Sequence, residues 1–283
     1  MVPVPRIWVT LHRVGSDRAA PMDSIRADAA GRYAFTYRRS GDESALYFAS
    51  ASYGGIAYFT SPFTAPRVRG EAAEIAVFDT TSKPIPISVR GHHVIVSAVD
   101  ANAVRSITEV YELANDSSRT RVVPTDRPEE PSWSTVVPTG ATSFQVTQGD
   151  IPASAVAGGN GRVRVFAPIA PGLKQLVFTY TMSASRFPLR VPVTTPTQIL
   201  EVLIEEEKGT ASGARLKETN PVSLSNRTFR RFLGVDVPAN AVSIISLPAT
   251  APRTSLASGY LVGVTILIGG AMIAALALAL RRG

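Results

Sequence analysis

The chain has 283 residues, 45% of them apolar, a formal net charge of +7 and no cysteine. This apolar share supports real cores and excludes a disordered stalk, and the lack of cysteine excludes a disulfide framework, a thiol nucleophile and a cysteine metal site. The positive charge comes from 25 arginines against 4 lysines and is scattered, with no run of five or more basic residues, so no nucleic-acid partner is expected.

Short runs rich in Val, Ile, Tyr, Phe and Thr open the chain at Ile7–Val14, Arg32–Arg38, Leu46–Ala51 and Gly55–Thr60. Gly, Pro, Ser and Asp clusters separate them, which is the pattern of strands and turns. Period-2 alternation places Trp8, Thr10 and His12 on one face of the first strand, with Ile7, Val9, Leu11 and Arg13 on the other. Asp28-Ala29-Ala30-Gly31 reads as a tight turn, Asp bonding the backbone ahead and Gly supplying a positive φ. Tyr33, Phe35 and Tyr37 then share one face.

Val9-Thr10-Leu11-His12-Arg13-Val14, followed by Asp23-Ser24-Ile25-Arg26-Ala27-Asp28-Ala29-Ala30-Gly31-Arg32-Tyr33-Ala34-Phe35, resembles the carboxypeptidase regulatory-like domain. That family is a small transthyretin-like β-sandwich, grouped with carbohydrate-binding-like folds, whose run is Thr-Asp-x-x-Gly-x-Phe/Tyr-x-Phe; Ala27 stands here in place of the Thr. The resemblance covers 1–68 and implies a fold rather than a ligand site. It also implies a further Gly-rich strand ahead of Ile7, so a missing first strand is expected.

Pro62, Pro66 and Gly70 mark a domain seam. Strands are expected at Glu74–Asp79, Ile85–Arg90, His93–Val99, Arg105–Glu112, Trp133–Val137, Ser143–Thr147, Gly161–Phe166 and Lys174–Tyr180, a spacing that fits a sandwich. Gln198–Glu205, Thr228–Leu233 and Ala241–Leu247 close the body. The expected architecture is all-β. It has a sandwich over 1–68, an Ig-like sandwich over 71–195, and strands in 196–248 that complete the second or form a third. A stalk at 249–258 and one C-terminal transmembrane helix at 259–280 follow. Helix outside that segment is expected to be scarce.

The stretch Gly259–Leu280 carries no charge. As a helix it spans about 33 Å, enough for a hydrocarbon core of ~30 Å. Arg281 and Arg282 follow it, so the positive-inside rule leaves the tail in the cytoplasm and the body outside. Met1-Val2-Pro3-Val4-Pro5 shows neither a basic nor an apolar signal region. Two readings stay open, a signal upstream of this chain or a tail-anchored cytoplasmic body, and the expected missing strand favours the first. Gly259 and Gly263 have the spacing of a close helix–helix contact, a candidate homodimer seam.

No catalytic constellation stands out. His92 and His93 are adjacent on a strand and point to opposite faces, so they do not chelate one ion together. One is expected at the surface and the other partly buried. No Gly-x-Ser-x-Gly elbow occurs. Gly158-Gly159-Asn160-Gly161 reads as a hairpin turn, since no Lys-Ser/Thr follows. Glu205, Glu206 and Glu207 do not match a calcium loop and read as a solvated strand end. Arg227, Arg230 and Arg231 form a basic cluster that either meets phosphate headgroups or guards an edge strand. Sugar rings stack on exposed aromatics; Trp133, beside Pro131, is expected to be the most exposed, with Trp8 as a second candidate. The leading expectation is a non-catalytic, membrane-anchored extracytoplasmic protein with a structural or protein-interaction role, without cofactor or metal. The alternative is a membrane-tethered carbohydrate-binding protein.

Overall fold

The computed structural model describes residues 2–147 and 149–247. The stalk, the apolar segment 259–280, Gly259, Gly263, Arg281 and Arg282 lie outside the described residues. Among those described, the chain is all-β, with three short 3-10 turns as its other regular elements. No helix among them is long and apolar enough to cross a membrane.

The chain forms two compact units, Met1–Thr81 with Ser118–Thr120, and Ser82–Ser117 with the chain from Arg121 onward. The first unit holds β1 (Trp8–Val14), β2 (Ala19–Arg26), β3 (Leu46–Tyr53) and β4 (Ile56–Phe59), hydrogen-bonded in the order β2-β1-β3-β4. Alternation decides its two faces. Val9, Leu11, Tyr47, Ala49, Ala51 and Tyr58 are buried on the inner face. The ring of Tyr37 stacks on Tyr47 at 5.1 Å, and Phe78 meets Tyr58 edge-on at 5.9 Å. Arg13 is buried too, held by Asp17 at 2.8 Å and by the Ser40 carbonyl at 2.9 Å.

Several features of this unit differ from expectation, and Glu74–Asp79 forms no strand. Arg32–Arg38 keeps its alternation yet is no strand, because no neighbouring strand forms a ladder with it. Ala19–Arg26, with Pro21 inside it, pairs with β1 around a bulge between Leu11 and His12. The seam at Pro62–Gly70 also moves, since the unit runs to Thr81. Tyr58 Oη donates to the Phe78 carbonyl at 3.0 Å and Tyr53 Oη to Asp79 at 3.0 Å, tying 78–79 to the first sheet. The expected turn at Asp28–Gly31 is present: Asp28 Oδ1 accepts from Ala30 N and Arg32 N, each at 2.8 Å, and Gly31 has φ +73.

Beyond β5 (Thr80–Thr81), the second unit begins with β6 (Ser88–Val96) and β7 (Val104–Asn115). After the short β8 (Thr120–Arg121) come β9 (Trp133–Val136), β10 (Thr142–Val146), β11 (Val156–Gly159), β12 (Arg162–Val165) and β13 (Gly172–Ser183). The last set is β14 (Leu189–Pro192), β15 (Thr197–Ile204), β16 (Thr210–Gly213), β17 (Lys217–Leu224), β18 (Arg227–Val237) and β19 (Val242–Ser246). Seven of these make one sheet in the order β10-β13-β7-β6-β15-β18-β17. Two three-stranded sheets, β11-β12-β9 and β14-β19-β16, supply the opposing layer. The described strands after residue 196 therefore complete the second unit, with β15 pairing parallel to β6 and antiparallel to β18.

The main core lies between these layers. Phe178, Tyr180, Leu176 and Ile107 from the large sheet meet Val163, Val165, Leu189 and Ile245 from the small ones. The β11–β12 hairpin turns through Asn160 and Gly161, both at positive φ, as a two-residue turn requires.

Phe178→Ala is expected to destabilise the second unit by about 3–5 kcal/mol, the cost of losing a buried ring and leaving a cavity. Phe59→Ala, on the exposed face of the first sheet, should stay within ~0.5 kcal/mol. Urea unfolding followed by circular dichroism separates the two; equal losses would contradict this assignment of inside and outside.

Candidate functional sites

β6 is the centre of the large sheet and is buried on both faces. Its consecutive histidines therefore project into two different interiors, and both are 1% exposed. The expected surface histidine is a correction: a seven-stranded sheet leaves its middle strand no solvent face. A buried imidazole needs partners, and each finds a carboxylate on a flanking strand.

His92 Nε2 lies 2.8 Å from Glu109 Oε2 on β7. Tyr180 Oη donates to Glu109 Oε1 at 2.7 Å, and Tyr111 Oη donates to Oε2 at 3.1 Å. The His92 and Tyr111 rings stack at 4.0 Å. Tyr111 Oη also meets Thr135 Oγ1 at 3.2 Å, which carries the network into β9. Burial pushes both tyrosine hydroxyls well above their ordinary range, and the nearby Glu109 pushes them further. They therefore act as fixed donors.

His93 Nδ1 lies 2.8 Å from Glu201 Oε2 on β15, and Arg231 Nε donates to Glu201 Oε1 at 2.6 Å. Burial raises the Glu201 carboxyl, but the His93 hydrogen bond and the charges of His93 and Arg231 outweigh it and hold it below its ordinary value. An ionised Glu201 accepts, so His93 Nδ1 carries the proton. His93 Nε2 is buried and makes no hydrogen bond among the described residues. It borders Gly91, where a Cβ would stand 2.7 Å from Glu112 Oε2 and 2.8 Å from His93 Nε2. The bulge beside Gly91 and the missing side chain together admit the carboxylate. Among the described residues no three of His, Cys, Asp and Glu converge as metal ligands.

The other sequence candidates fall as follows. Trp133 is a correction: it is 8% exposed, because it opens β9 and its ring meets Tyr111 edge-on at 5.1 Å in the core. Of the expected solvated acidic end, Glu207 is exposed, but Glu205 and Glu206 are engaged. Glu205 pairs with Arg227 and accepts from Ala98 N at 2.6 Å, and Glu206 pairs with the buried Arg105 at 2.5 Å. Arg230 pairs with Glu218 at 2.6 Å and Arg231 with Glu201, so the basic cluster is tied up in ion pairs.

Trp8 is 55% exposed and stands on the outer face of the first sheet. Directly opposed residues share a face, so the register places Arg26, Ser24, Thr10, His12, Ser50 and Phe48 with it. Phe59, opposite Ser50, is 58% exposed. Arg26 lies over the Trp8 ring at 5.1 Å. His12 Nε2 is 2.8 Å from Ser50 Oγ, and its ring stacks on Phe48 at 5.1 Å, which meets Phe59 at 5.8 Å. Phe48 and Phe59 lie outside the sequence candidates; the same period-2 reading that exposed Trp8 extends to them. On the inner side, Val4, Ile7, Val9, Tyr33, Ala51 and Ile75 border an apolar groove of about 380 Å³.

No protein-family model matches the sequence. No curated protein matches it either. Among solved structures, the chain is similar to an M1 zinc metallopeptidase from Deinococcus radiodurans at 12% identity and a TM-score of 0.35, over 56% of this chain. It spans 42% of that chain's length, and so distant a likeness says nothing about activity.

Glu109→Ala removes the acceptor shared by His92, Tyr111 and Tyr180 and is expected to cost about 3–5 kcal/mol, read from urea unfolding at neutral pH. For Glu201, the folded carboxyl titrates below its ordinary value of 4.5. Its stabilisation is present above that value and is lost as pH falls through the lower folded value. Glu201→Gln should therefore be less stable than wild type at pH 7, and the gap should narrow on acidification below pH 4.5. A gap of constant size would contradict the assignment.

Proposed function

We propose that the chain is a membrane-anchored, extracytoplasmic β-sheet protein with a structural or protein-interaction role, docking through the outer face of its first sheet. That face carries the reading. Apolar side chains exposed together on one face mark interaction surfaces; Trp8 and Phe59 are both more than half exposed, and the opposed pair Val14 and Leu46 is exposed on the same face. The residues best suited to chemistry support it from the other side. His92, His93, Glu109 and Glu201 are sealed within the second unit and bound to one another across strands. The anchor and its orientation are supported by the uncharged run Gly259–Leu280 and by Arg281 and Arg282 after it.

The test uses intact cells producing the full chain. Protease added outside is expected to digest the body. A photo-crosslinking residue at Ser52, on the outer face, should give a light-dependent adduct of higher mass that one at Glu43, in an exposed loop, does not. Full protection from external protease would overturn the orientation. Equal adducts from both positions, or none, would overturn docking through this face.

A further inference from the structure

We infer that His93 is a proton-operated clamp: its imidazole takes a second proton at Nε2 and, as an imidazolium, ties Glu112 on β7 to Glu201 on β15 across the central strand β6. Three observations carry this. The ring is 1% exposed and is oriented from one side, since Nδ1 donates to Glu201 Oε2 at 2.8 Å and Arg231 holds the other carboxylate oxygen at 2.6 Å. That leaves Nε2 buried and without a hydrogen bond among the described residues. The third is the group across from it. Glu112 Oε2 and His93 Nε2 stand 2.7 and 2.8 Å from the point where a Gly91 Cβ would be, so they are at most 5.5 Å apart.

With one proton on the ring, Nε2 presents a lone pair, and an ionised Glu112 can only accept. Two acceptors then face each other beside Gly91, and the buried nitrogen goes unsatisfied. One proton taken from solvent removes the conflict. Nε2 becomes a donor, and an opposite charge within ~4–6 Å favours the charged form. The charges on this face of the sheet count the same way. The register places Glu112 of β7, Glu201 of β15 and Arg231 of β18 here, with Lys217 exposed on the edge strand β17. β13 adds only the neutral Gln175 and Val177, opposite Glu112 and Val110. On β6 itself, Arg90 sits at the bulge and pairs with Asp116, while His92 and Glu109 belong to the other face. Around the ring, two carboxylates therefore meet one guanidinium, and an imidazolium makes the group neutral.

The clamp closes in acid and opens in alkali. The folded chain holds the second proton more firmly than an unfolded histidine does. The stabilisation is thus fully present below the unfolded value of ~6.5 and is lost as pH rises through the folded one. Its acid limit is the protonation of Glu201, which falls below 4.5.

The experiment is nitrogen NMR of the full chain in detergent micelles, labelled at its three histidines and titrated with acid and base. An Overhauser contact from the Gly91 α-protons to the ring identifies His93. Both of its nitrogens are expected to carry hydrogen at about pH 6, and Nδ1 alone in alkali. In Glu112→Gln the side-chain amide donates to a bare Nε2, so the second proton should leave about one pH unit lower or more. Glu129→Gln, an exposed loop carboxylate, should not move it. In urea unfolding, Glu112→Gln should fall furthest below wild type near pH ~6, and the gap should close or reverse by about pH 9. The wild-type spectrum decides even where the variant does not fold. One protonated nitrogen throughout, a midpoint unmoved by Glu112→Gln, or a gap independent of pH would each overturn the inference. His93 signals that shift with stoichiometric zinc and return with a chelator would overturn it too, placing a metal ion rather than a proton at Nε2.

Discussion

The second unit depends on two carboxylates placed on opposite sides of one sheet. Glu109 and Glu201 flank β6 on β7 and β15, and each takes one of two consecutive histidines. The pairing follows from strand geometry. Adjacent side chains point to opposite faces, and a central strand has no wet face to receive either. Burying an imidazole or a carboxylate alone is costly, whereas burying them as hydrogen-bonded partners restores much of the lost solvation. The two ties also fix register. A one-residue slip of β6 would move each histidine to the other face of the sheet, away from its present carboxylate. Tyr180, Tyr111 and Arg231 extend these ties to β13, β9 and β18, so five strands beyond β6 are keyed to its histidines.

The first unit is governed by a simpler constraint. One face of its sheet must be apolar to close a core, and the other is free. The inner face follows the rule, with Val9, Leu11, Ala49 and Ala51 buried. The outer face does not relax to a purely polar surface, and exposed rings alternate there with hydroxyls. The contrast between units locates the division of labour: polar groups hold the second unit together inside, and aromatic groups of the first are displayed outside.

Much of this was legible in the sequence. Period-2 alternation in Trp8–Val14 separated inner from outer residues correctly, and Asp28–Gly31 and Asn160–Gly161 announced their turns through residues that favour those conformations. The opposite orientation of His92 and His93 was also readable. Their burial was not, because exposure of a strand depends on its position in the sheet, and β6 becomes central through β15, more than a hundred residues later. The same long-range pairing turned Glu205, Glu206 and the arginines of β18 from apparent surface charge into ion pairs. Trp133 misled for a related reason: a neighbouring proline signals a turn, but the ring's position was set by Tyr111 in a distant strand. Arg32–Arg38 shows the converse, a strand-like pattern with no paired strand. Phe48 and Phe59 were visible as aromatics, but their meeting on one face needed the β3–β4 register.

Hydrogen–deuterium exchange of the full chain, purified alone and in its native envelope fraction, tests most directly whether the outer face of the first sheet is where this protein acts. Docking there should slow exchange in peptides covering Trp8–Val14, Leu46–Tyr53 and Ile56–Phe59, while β6 and β7, already shielded on both faces, stay unchanged. Unchanged exchange in the first sheet, or protection gained around His92 and His93 instead, would contradict that assignment and return attention to the buried histidines.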